Sequence, residues 1–131
     1  MLRVVLDTNI IVSAMLTPKG IPAKILHSGL AREFILLVSM GVMCEYNDVL
    51  YRKKFENKIP REKADKMINL IQTIADYYVP ITSTIPQFTD ETDRKFYDLA
   101  KAANAYLITG NIKHFPQDNK IITPADFLKI S

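Results

Sequence analysis

Cysteine is nearly absent from this chain of 131 residues, which carries only one, Cys44. A single cysteine excludes an internal disulfide and is typical of a reducing compartment, so we expect the protein to be cytoplasmic. For Cys44 itself we expect a small, buried apolar side chain rather than a nucleophile.

Long apolar runs are absent as well. No stretch approaches the roughly 20 residues that a membrane-spanning helix requires, so we expect no membrane partner. Met1 leads directly into a strand-like run, which predicts that no signal peptide precedes the fold. The chain has no repeat, no low-complexity tract and no linker, and its 4 glycines and 7 prolines are scattered. These features predict a single domain over residues 1–131.

Charge of either sign is moderate. The formal net charge is +3 and the sequence pI is about 9.0, while 48% of the residues are hydrophobic and 24% are charged. These values are typical of an ordinary globular protein. The small basic excess permits a polyanionic partner without requiring one.

Short β-branched runs alternate with helical patterns along most of the chain. The runs lack polar–apolar alternation, as expected of strands buried on both faces of a parallel sheet. They predict strands at Leu2–Leu6, Phe34–Ser39, Tyr78–Thr82 (an edge strand), Tyr106–Thr109 and Lys120–Thr123. Helices are predicted over residues 10–17, Ile21–Leu30 with a stop near Gly29, Ser39 to about Lys54, Pro60–Tyr78, Asp90–Ala105 and Pro124–Ile130.

This alternation predicts an α/β fold, a three-layer α/β/α sandwich around a mostly parallel central sheet. In such sheets, ligands bind at the carboxyl ends of the strands. Polar residues that directly follow a predicted strand are therefore the first candidates for a functional site.

Asp7-Thr8-Asn9 interrupts the apolar run from Val4 to Leu16, directly after the first strand. One interpretation is that Asp7 or Asn9 caps the following helix. A second interpretation is that Asp7 is a phosphoryl-transfer nucleophile, but the dehalogenase-like pattern needs an aspartate where Asn9 stands. No Gly-rich loop ending in Gly-Lys-Ser/Thr exists, which excludes a P-loop NTPase. A third interpretation is that Asp7 belongs to a Mg²⁺ or Mn²⁺ site, which needs several oxygen ligands.

Further acidic residues are expected at the same edge of the sheet. Glu45 lies on the helix after the second strand, at the flank of its inward face, and Asp93 lies in the first turn of a later helix. Each acid also has an ordinary structural interpretation. Glu45 is compatible with a polar residue at the edge of the apolar face of an amphipathic helix, and Asp90 to Asp93 has the spacing of a capping box. Thr109-Gly110-Asn111 follows another strand and adds oxygen atoms beside a glycine that allows close backbone approach.

The ordered set of these segments resembles the PIN domain, a nuclease family that includes the VapC-type toxins of prokaryotic toxin–antitoxin pairs. The resemblance is carried by "VLDTNIIVSA", "VSMGVMCEYNDVL", "DETDRKFYDLAKAANAYLITGN" and the "IKHF" that follows directly. It implies that Asp7, Glu45 and Asp93 are the catalytic metal-binding acids. Asn111 stands where many members carry a fourth acid, and it can ligate a metal ion through its amide oxygen.

The resemblance further implies a nuclease that uses Mg²⁺ or Mn²⁺ to cut phosphodiester bonds, most often in RNA. As partners it implies an RNA substrate, an antitoxin protein and a second copy of the chain in a homodimer. The alternative, which the neutral Asn111 favours, is a catalytically weak or inactive PIN-like module that binds RNA or a protein.

Candidate substrate-binding residues lie beside the predicted site. They are Thr8, Asn9, Thr109, Arg94, Lys95, Lys113 and His114. His114 is equally compatible with a structural role. The densest basic stretch, Arg52 to Lys63, is interpreted mainly as a solvated helix end, because basic residues are favoured at a helix C-terminus.

Overall fold

A five-stranded sheet forms the centre of the protein, which a computed structural model describes over residues 1–131. All neighbouring strands are parallel, and their order is β3-β2-β1-β4-β5. The strands are β1 (Arg3–Leu6), β2 (Ile35–Val38), β3 (Asp76–Tyr77), β4 (Tyr106–Ile108) and β5 (Ile121–Ile122). Because β1 is central, residue 7 leaves the sheet at its middle.

Six helices pack around the sheet and complete the predicted three-layer α/β/α sandwich. They are α1 (Thr8–Leu16), α2 (Ile21–Leu30), α3 (Met40–Leu50), α4 (Arg61–Ile74), α5 (Arg94–Ala103) and α6 (Pro124–Ile130). Helix α5 lies against β1 and β4, and α2 lies against β2. A cluster of 31 buried apolar residues joins the layers, and burial of this apolar surface is the main stabilising contribution. No helix of the structure has the length and apolar character needed to cross a membrane.

Local contacts explain where two of the helices begin and end. Ser39 caps α3 as its position predicts, since its Oγ accepts a hydrogen bond from the N–H of Val42 at 3.1 Å. Helix α2 ends at Leu30 as predicted, although Gly29 lies inside the helix and is not its cap. A Cβ there would lie 2.8 Å from Cζ of Phe34, so this position serves close packing. The left-handed residue after α2 is Arg32, with φ of 62°.

The strand predicted at Tyr78–Thr82 is also wrong. The edge strand is β3, only two residues long, and α4 ends at Ile74 instead of Tyr78. Leu37 and Val38 of β2 pair with Asp76 and Tyr77, and the apolar residues that follow point into solvent. Pro80 has no N–H to extend a ladder.

Two more predictions from the apolar pattern need correction. Helix α3 ends at Leu50, where its buried stripe ends, and a separate 3₁₀ turn at Lys53–Phe55 carries the basic residues. Cys44 is exposed rather than buried, because it lies on the outer face of α3.

Candidate active site

The carboxyl end of β1 lies where the strand order reverses. The chain passes from β1 to β2 on one side and returns later to β4 on the other, a geometry that opens a crevice at the strand ends. Asp7 is the first residue after β1, and its N–H donates a hydrogen bond to the carbonyl oxygen of Ile108 at 3.0 Å. The residue is only 6% exposed, so a carboxylate stands at the floor of this crevice.

Two polar side chains hold the Asp7 carboxylate. The hydroxyl group of Thr109 donates to its Oδ2 at 2.7 Å, and the amide of Asn9 donates to the same oxygen at 3.3 Å. The Oδ1 of Asn9 accepts from the N–H of Gly110 at 3.3 Å, and Oγ1 of Thr109 accepts from the N–H of Asn111 at 3.0 Å. These bonds join the ends of β1 and β4 into one rigid unit.

The capping interpretation of Asp7 and Asn9 is wrong. Asp7 occupies the N-cap position of α1, but its side chain accepts no capping hydrogen bond. Asn9 lies within the first turn of α1, and its side chain bonds across to Asp7 and Gly110. Both polar side chains are therefore directed to the strand ends.

The Asp7 carboxylate is electrostatically unfavourable in this position. Burial raises the pKa of Asp7 from 3.8 to about 6, the Thr109 hydrogen bond opposes that rise, and the negative charges of Asp93 and Glu45 add to it. A cation near Asp7 would relieve both the desolvation cost and the repulsion.

Glu45 lies on α3 at the same edge and is half-buried. Its Oε2 accepts a hydrogen bond from the hydroxyl group of Thr8 at 2.6 Å, and its Oε1 lies 2.8 Å from Nζ of Lys95. Both oxygens of Glu45 therefore have donors within the protein. Lys95 belongs to α5, so this ion pair ties α3 to α5 across the crevice.

Asp93 ends a 3₁₀ turn, Glu91–Asp93, that precedes α5. The turn is capped by Asp90, whose Oδ1 accepts from the N–H of Thr92 at 3.0 Å, so Asp93 has no capping function. Burial, and next the charge of Asp90, raise the pKa of Asp93. Its Oδ2 lies 3.6 Å from Nδ1 of His114.

The three acids lie close enough for their charges to act on one another, although no three acidic, histidine or cysteine side chains converge as closely as metal ligands do. Glu45 raises the pKa of both aspartates, so the three charges act on one another. Carboxylate oxygens with a buried member suit Mg²⁺ or Mn²⁺. Asn111 is exposed beside them, and its side chain forms no hydrogen bond.

The candidate substrate-binding residues differ in whether their side chains already have partners within the protein. Lys113 and His114 are exposed on a 3₁₀ turn next to Asp93, while Thr8, Asn9 and Thr109 have the carboxylate contacts described above. Lys95 is half-buried with its ammonium group on Glu45.

Arg94 has contacts that favour a structural role over substrate contact. Its guanidinium group donates to Glu91 at 2.6 Å, to Oγ of Ser83 at 2.9 Å and to the carbonyl oxygen of Pro86 at 2.7 Å. It also lies 4.8 Å from the ring centroid of Phe88. The side chain is 11% exposed, so its donors are directed into the protein.

Tyr46 was not identified as a site residue from the sequence. Its buried hydroxyl group donates to the carbonyl oxygen of Leu6, the residue that precedes Asp7. The pKa of Tyr46 is raised well above its usual value by burial, and then by the charges of Asp7 and Glu45. The sequence does place a tyrosine on the inward face of α3, and a buried tyrosine needs a partner for its hydroxyl group. This feature could have identified Tyr46 as a residue near the site.

Comparisons with known proteins agree with this architecture. A family model described as PIN domain matches residues 3–113. The uncharacterized protein MJ1680 of Methanocaldococcus jannaschii is 28% identical over 111 residues, which cover 84% of this chain and 71% of that protein.

Two solved structures share the fold. VapBC2 from Rickettsia felis, bound to a DNA fragment from its promoter, has a TM-score of 0.62 and 18% identity over 93% of this chain and 97% of that chain. PAE2754 from Pyrobaculum aerophilum has a TM-score of 0.65 and 9% identity over 98% of this chain and 88% of that chain.

Proposed function

Because this chain belongs to the PIN domain family, we propose that it is a metal-dependent endoribonuclease that hydrolyses phosphodiester bonds in RNA. The observation that carries the proposal is Asp7. A buried carboxylate whose pKa is raised to about 6 lies at the switch point of the sheet, within the field of two further acids. Such a perturbed group in a crevice is typical of a functional site.

In this proposal Asp7, Glu45 and Asp93 hold Mg²⁺ or Mn²⁺, with the amide oxygen of Asn111 as an additional donor. A bound cation of this kind polarises a phosphate and lowers the pKa of a water molecule. Thr109 and Asn9 keep the Asp7 carboxylate oriented toward the crevice. No one of the three carboxylates is singled out as a general base.

Positive charge near the acids would receive the RNA backbone. Lys95 already reaches the crevice, with its ammonium group 2.8 Å from Glu45, and Lys113 and His114 lie exposed on the side of Asp93. Contacts of this type supply affinity for phosphates without reading the base sequence. We therefore include these three residues in the proposed RNA contacts and leave Arg94 out.

The test is cleavage of a mixed single-stranded RNA in Mn²⁺ or Mg²⁺, comparing the unmodified protein with Asp7→Asn. We expect a loss of activity of at least about 100-fold, because a metal ligand and its charge are removed. The control is Asp48→Asn, which alters an exposed acid on α3 whose side chain is 71% exposed. Full activity of a folded Asp7→Asn protein, judged by its unchanged circular dichroism, would contradict the proposal.

One observation favours the alternative function, an RNA- or protein-binding module without catalysis. Both oxygens of Glu45 are satisfied by Thr8 and Lys95, so this acid needs no metal ion to be stable. The neutral Asn111 adds no charge. If RNA binds but is not cleaved in either metal, this alternative is the better account.

We further propose that the chain pairs with a small antitoxin protein and forms a homodimer. The support is the fold shared with VapBC2 from Rickettsia felis. Coexpression with the product of an adjacent small gene should give a stoichiometric complex that inhibits cleavage. Sedimentation of the chain alone measures whether it is a dimer.

A further inference from the structure

A groove of about 480 Å³ opens beside the candidate active site. It lies between the start of α3, the segment that follows β3 and the first turns of α5. We call it the tyrosine groove and define it by Met40, Tyr77, Tyr78, Val79 and Lys95, all of which line it. Its volume falls within the range of about 300–1,000 Å³ that is usual for ligand sites.

The groove exposes aromatic and apolar side chains that the fold does not need in its core. Tyr77 is 50% exposed and Tyr78 is 42% exposed, and Met40 and Val79 beside them are more exposed still. Neither ring belongs to an aromatic pair within the protein. The hydroxyl group of Tyr78 donates to the carbonyl oxygen of Ala102 at 3.3 Å, which anchors the edge of that ring on α5. The faces of both rings have no aromatic partner, and we take these faces as the surfaces that stack with a ligand.

The acidic residues of the groove are already neutralised by protein donors. Glu91 is paired with Arg94, and the oxygens of Asp98 accept hydrogen bonds from the N–H and the hydroxyl group of Ser83. The cation that reaches the active site is Lys95, whose ammonium group is itself paired with Glu45 at 2.8 Å. In the proposed nuclease this lysine contacts phosphate once Glu45 binds the metal ion. The groove is thus continuous with the carboxylate edge through Lys95.

We propose that the tyrosine groove binds the bases of a single-stranded RNA segment next to the phosphodiester bond that is cut. This inference rests on the proposed nuclease function. Stacking of bases on exposed aromatic rings, combined with a lysine that contacts the backbone, is how proteins hold single strands without sequence preference. A duplex would keep its bases stacked inside the helix and could not use the two rings.

The experiment measures binding of a fluorescent mixed-sequence 12-nucleotide RNA by anisotropy, in an Asp7→Asn background that does not cleave it. Tyr77→Leu and Tyr78→Leu keep an apolar side chain but remove the aromatic face. Each should weaken binding roughly fivefold or more. Tyr77→Phe keeps the ring and should bind as the parent does. Tyr78→Phe also keeps the ring but loses the hydrogen bond to Ala102, so its affinity should lie between those of the parent and of Tyr78→Leu. The matched control is Tyr51→Leu, a tyrosine that is 40% exposed outside the groove.

Two results would overturn the inference. One is unchanged RNA affinity in both leucine variants, which would leave the groove to a protein partner. The other is equal, tyrosine-dependent binding of a blunt RNA duplex of the same length.

Cleavage by the protein with an intact Asp7 separates this inference from the proposed function. If that protein cuts RNA in Mn²⁺ and the leucine variants bind RNA normally, the groove assignment fails and the nuclease proposal holds. If binding depends on the tyrosines but no metal supports cleavage, the groove assignment holds and the nuclease proposal fails.

Discussion

Thr109 is fully buried, and its hydroxyl group links both sides of the candidate active site. It donates to Asp7 and accepts from the N–H of Asn111, so one side chain orients an acid and fixes the turn that carries the fourth proposed ligand. At the scale of single residues, the arrangement places charge at Asp7 and leaves Asn111 neutral and exposed.

Asn111→Asp tests whether this position faces the cation. The variant adds a negative charge, and opposite unit charges at ~4 Å attract by about 4 kcal/mol at an effective dielectric constant near 20. Desolvation and repulsion from the three acids offset much of this attraction, so we expect a modest gain in Mn²⁺ affinity by calorimetric titration. Asn57→Asp, an exposed residue in a remote turn, is the control. Identical or weaker Mn²⁺ binding would remove Asn111 from the proposed ligands.

Asp7 could be predicted as a candidate because it directly follows a buried strand, and parallel strands end at one edge of the sheet. Glu45 and Asp93 lie on helical segments, and they became candidates through the helix starts expected near that edge and through the family resemblance. Side chains that serve two elements at once could not be predicted. Asn9 resembles a helix cap in the sequence, but it bonds to Gly110, 101 residues further along the chain. Which of two plausible partners a polar side chain selects is decided by tertiary packing.

At the scale of elements, polar side chains of α5 and the packing of Phe88 against Tyr97 and Phe115 hold the segment between β3 and α5. Arg94 bonds to Ser83, Pro86 and Glu91, and Asp98 receives both donors of Ser83. The segment has no regular secondary structure from residue 78 to residue 90, and it forms one wall of the tyrosine groove. Its position therefore depends on side-chain contacts with α5 more than on backbone hydrogen bonds between strands.

Asp98→Ala should release this segment. Hydrogen bonds to a charged group contribute about 1.5–3 kcal/mol each, and we expect the free energy of unfolding to fall by about that amount, measured in urea. Hydrogen exchange should accelerate between residues 79 and 91 and remain unchanged in β1 and β4. Asp126→Ala, which alters an exposed acid on α6, is the control. Uniform acceleration over the whole chain would show that Asp98 supports the core instead.

The elements themselves were largely predictable, and the errors have a common cause. Runs of buried apolar residues located β1, β2 and β4 correctly. Val79 and Ile81 gave the same signal, although both are exposed, because an apolar run carries no information about what covers it. The positive charge of Arg94 beside Asp93 predicts an RNA contact. In the structure its guanidinium group instead bonds to Glu91 and lies over the ring of Phe88, which indicates a structural role.

At the scale of the whole molecule, the Asp7 carboxylate makes stability depend on pH. Its pKa is about 6 in the folded protein and near 3.8 in the unfolded chain, so the folded state binds more protons between these values. Stability is therefore highest below about pH 4 for this group, and it decreases as the pH rises through 6. The difference corresponds to roughly 3 kcal/mol.

We expect Asp7→Asn to be more stable than the unmodified protein at pH 7 without metal ions, by up to about 3 kcal/mol. The advantage should shrink toward zero below pH 4, where both side chains are neutral. Urea unfolding in EDTA from pH 4 to pH 7.5 measures the difference in unfolding free energy between the two proteins. The contributions of groups that titrate alike in both proteins cancel in this difference. Mn²⁺ should then stabilise the unmodified protein selectively at pH 7. An advantage that does not vary with pH would show that burial does not raise the pKa of Asp7 in this way.

The bond between Asp7 and Thr109 spans 102 residues of chain, and this separation sets an order of events during synthesis. The ribosome makes Asp7 about a hundred residues before it makes the hydroxyl group that orients this acid and the strand β4 that supports it. A nascent chain therefore carries an unformed carboxylate edge until more than a hundred residues have emerged.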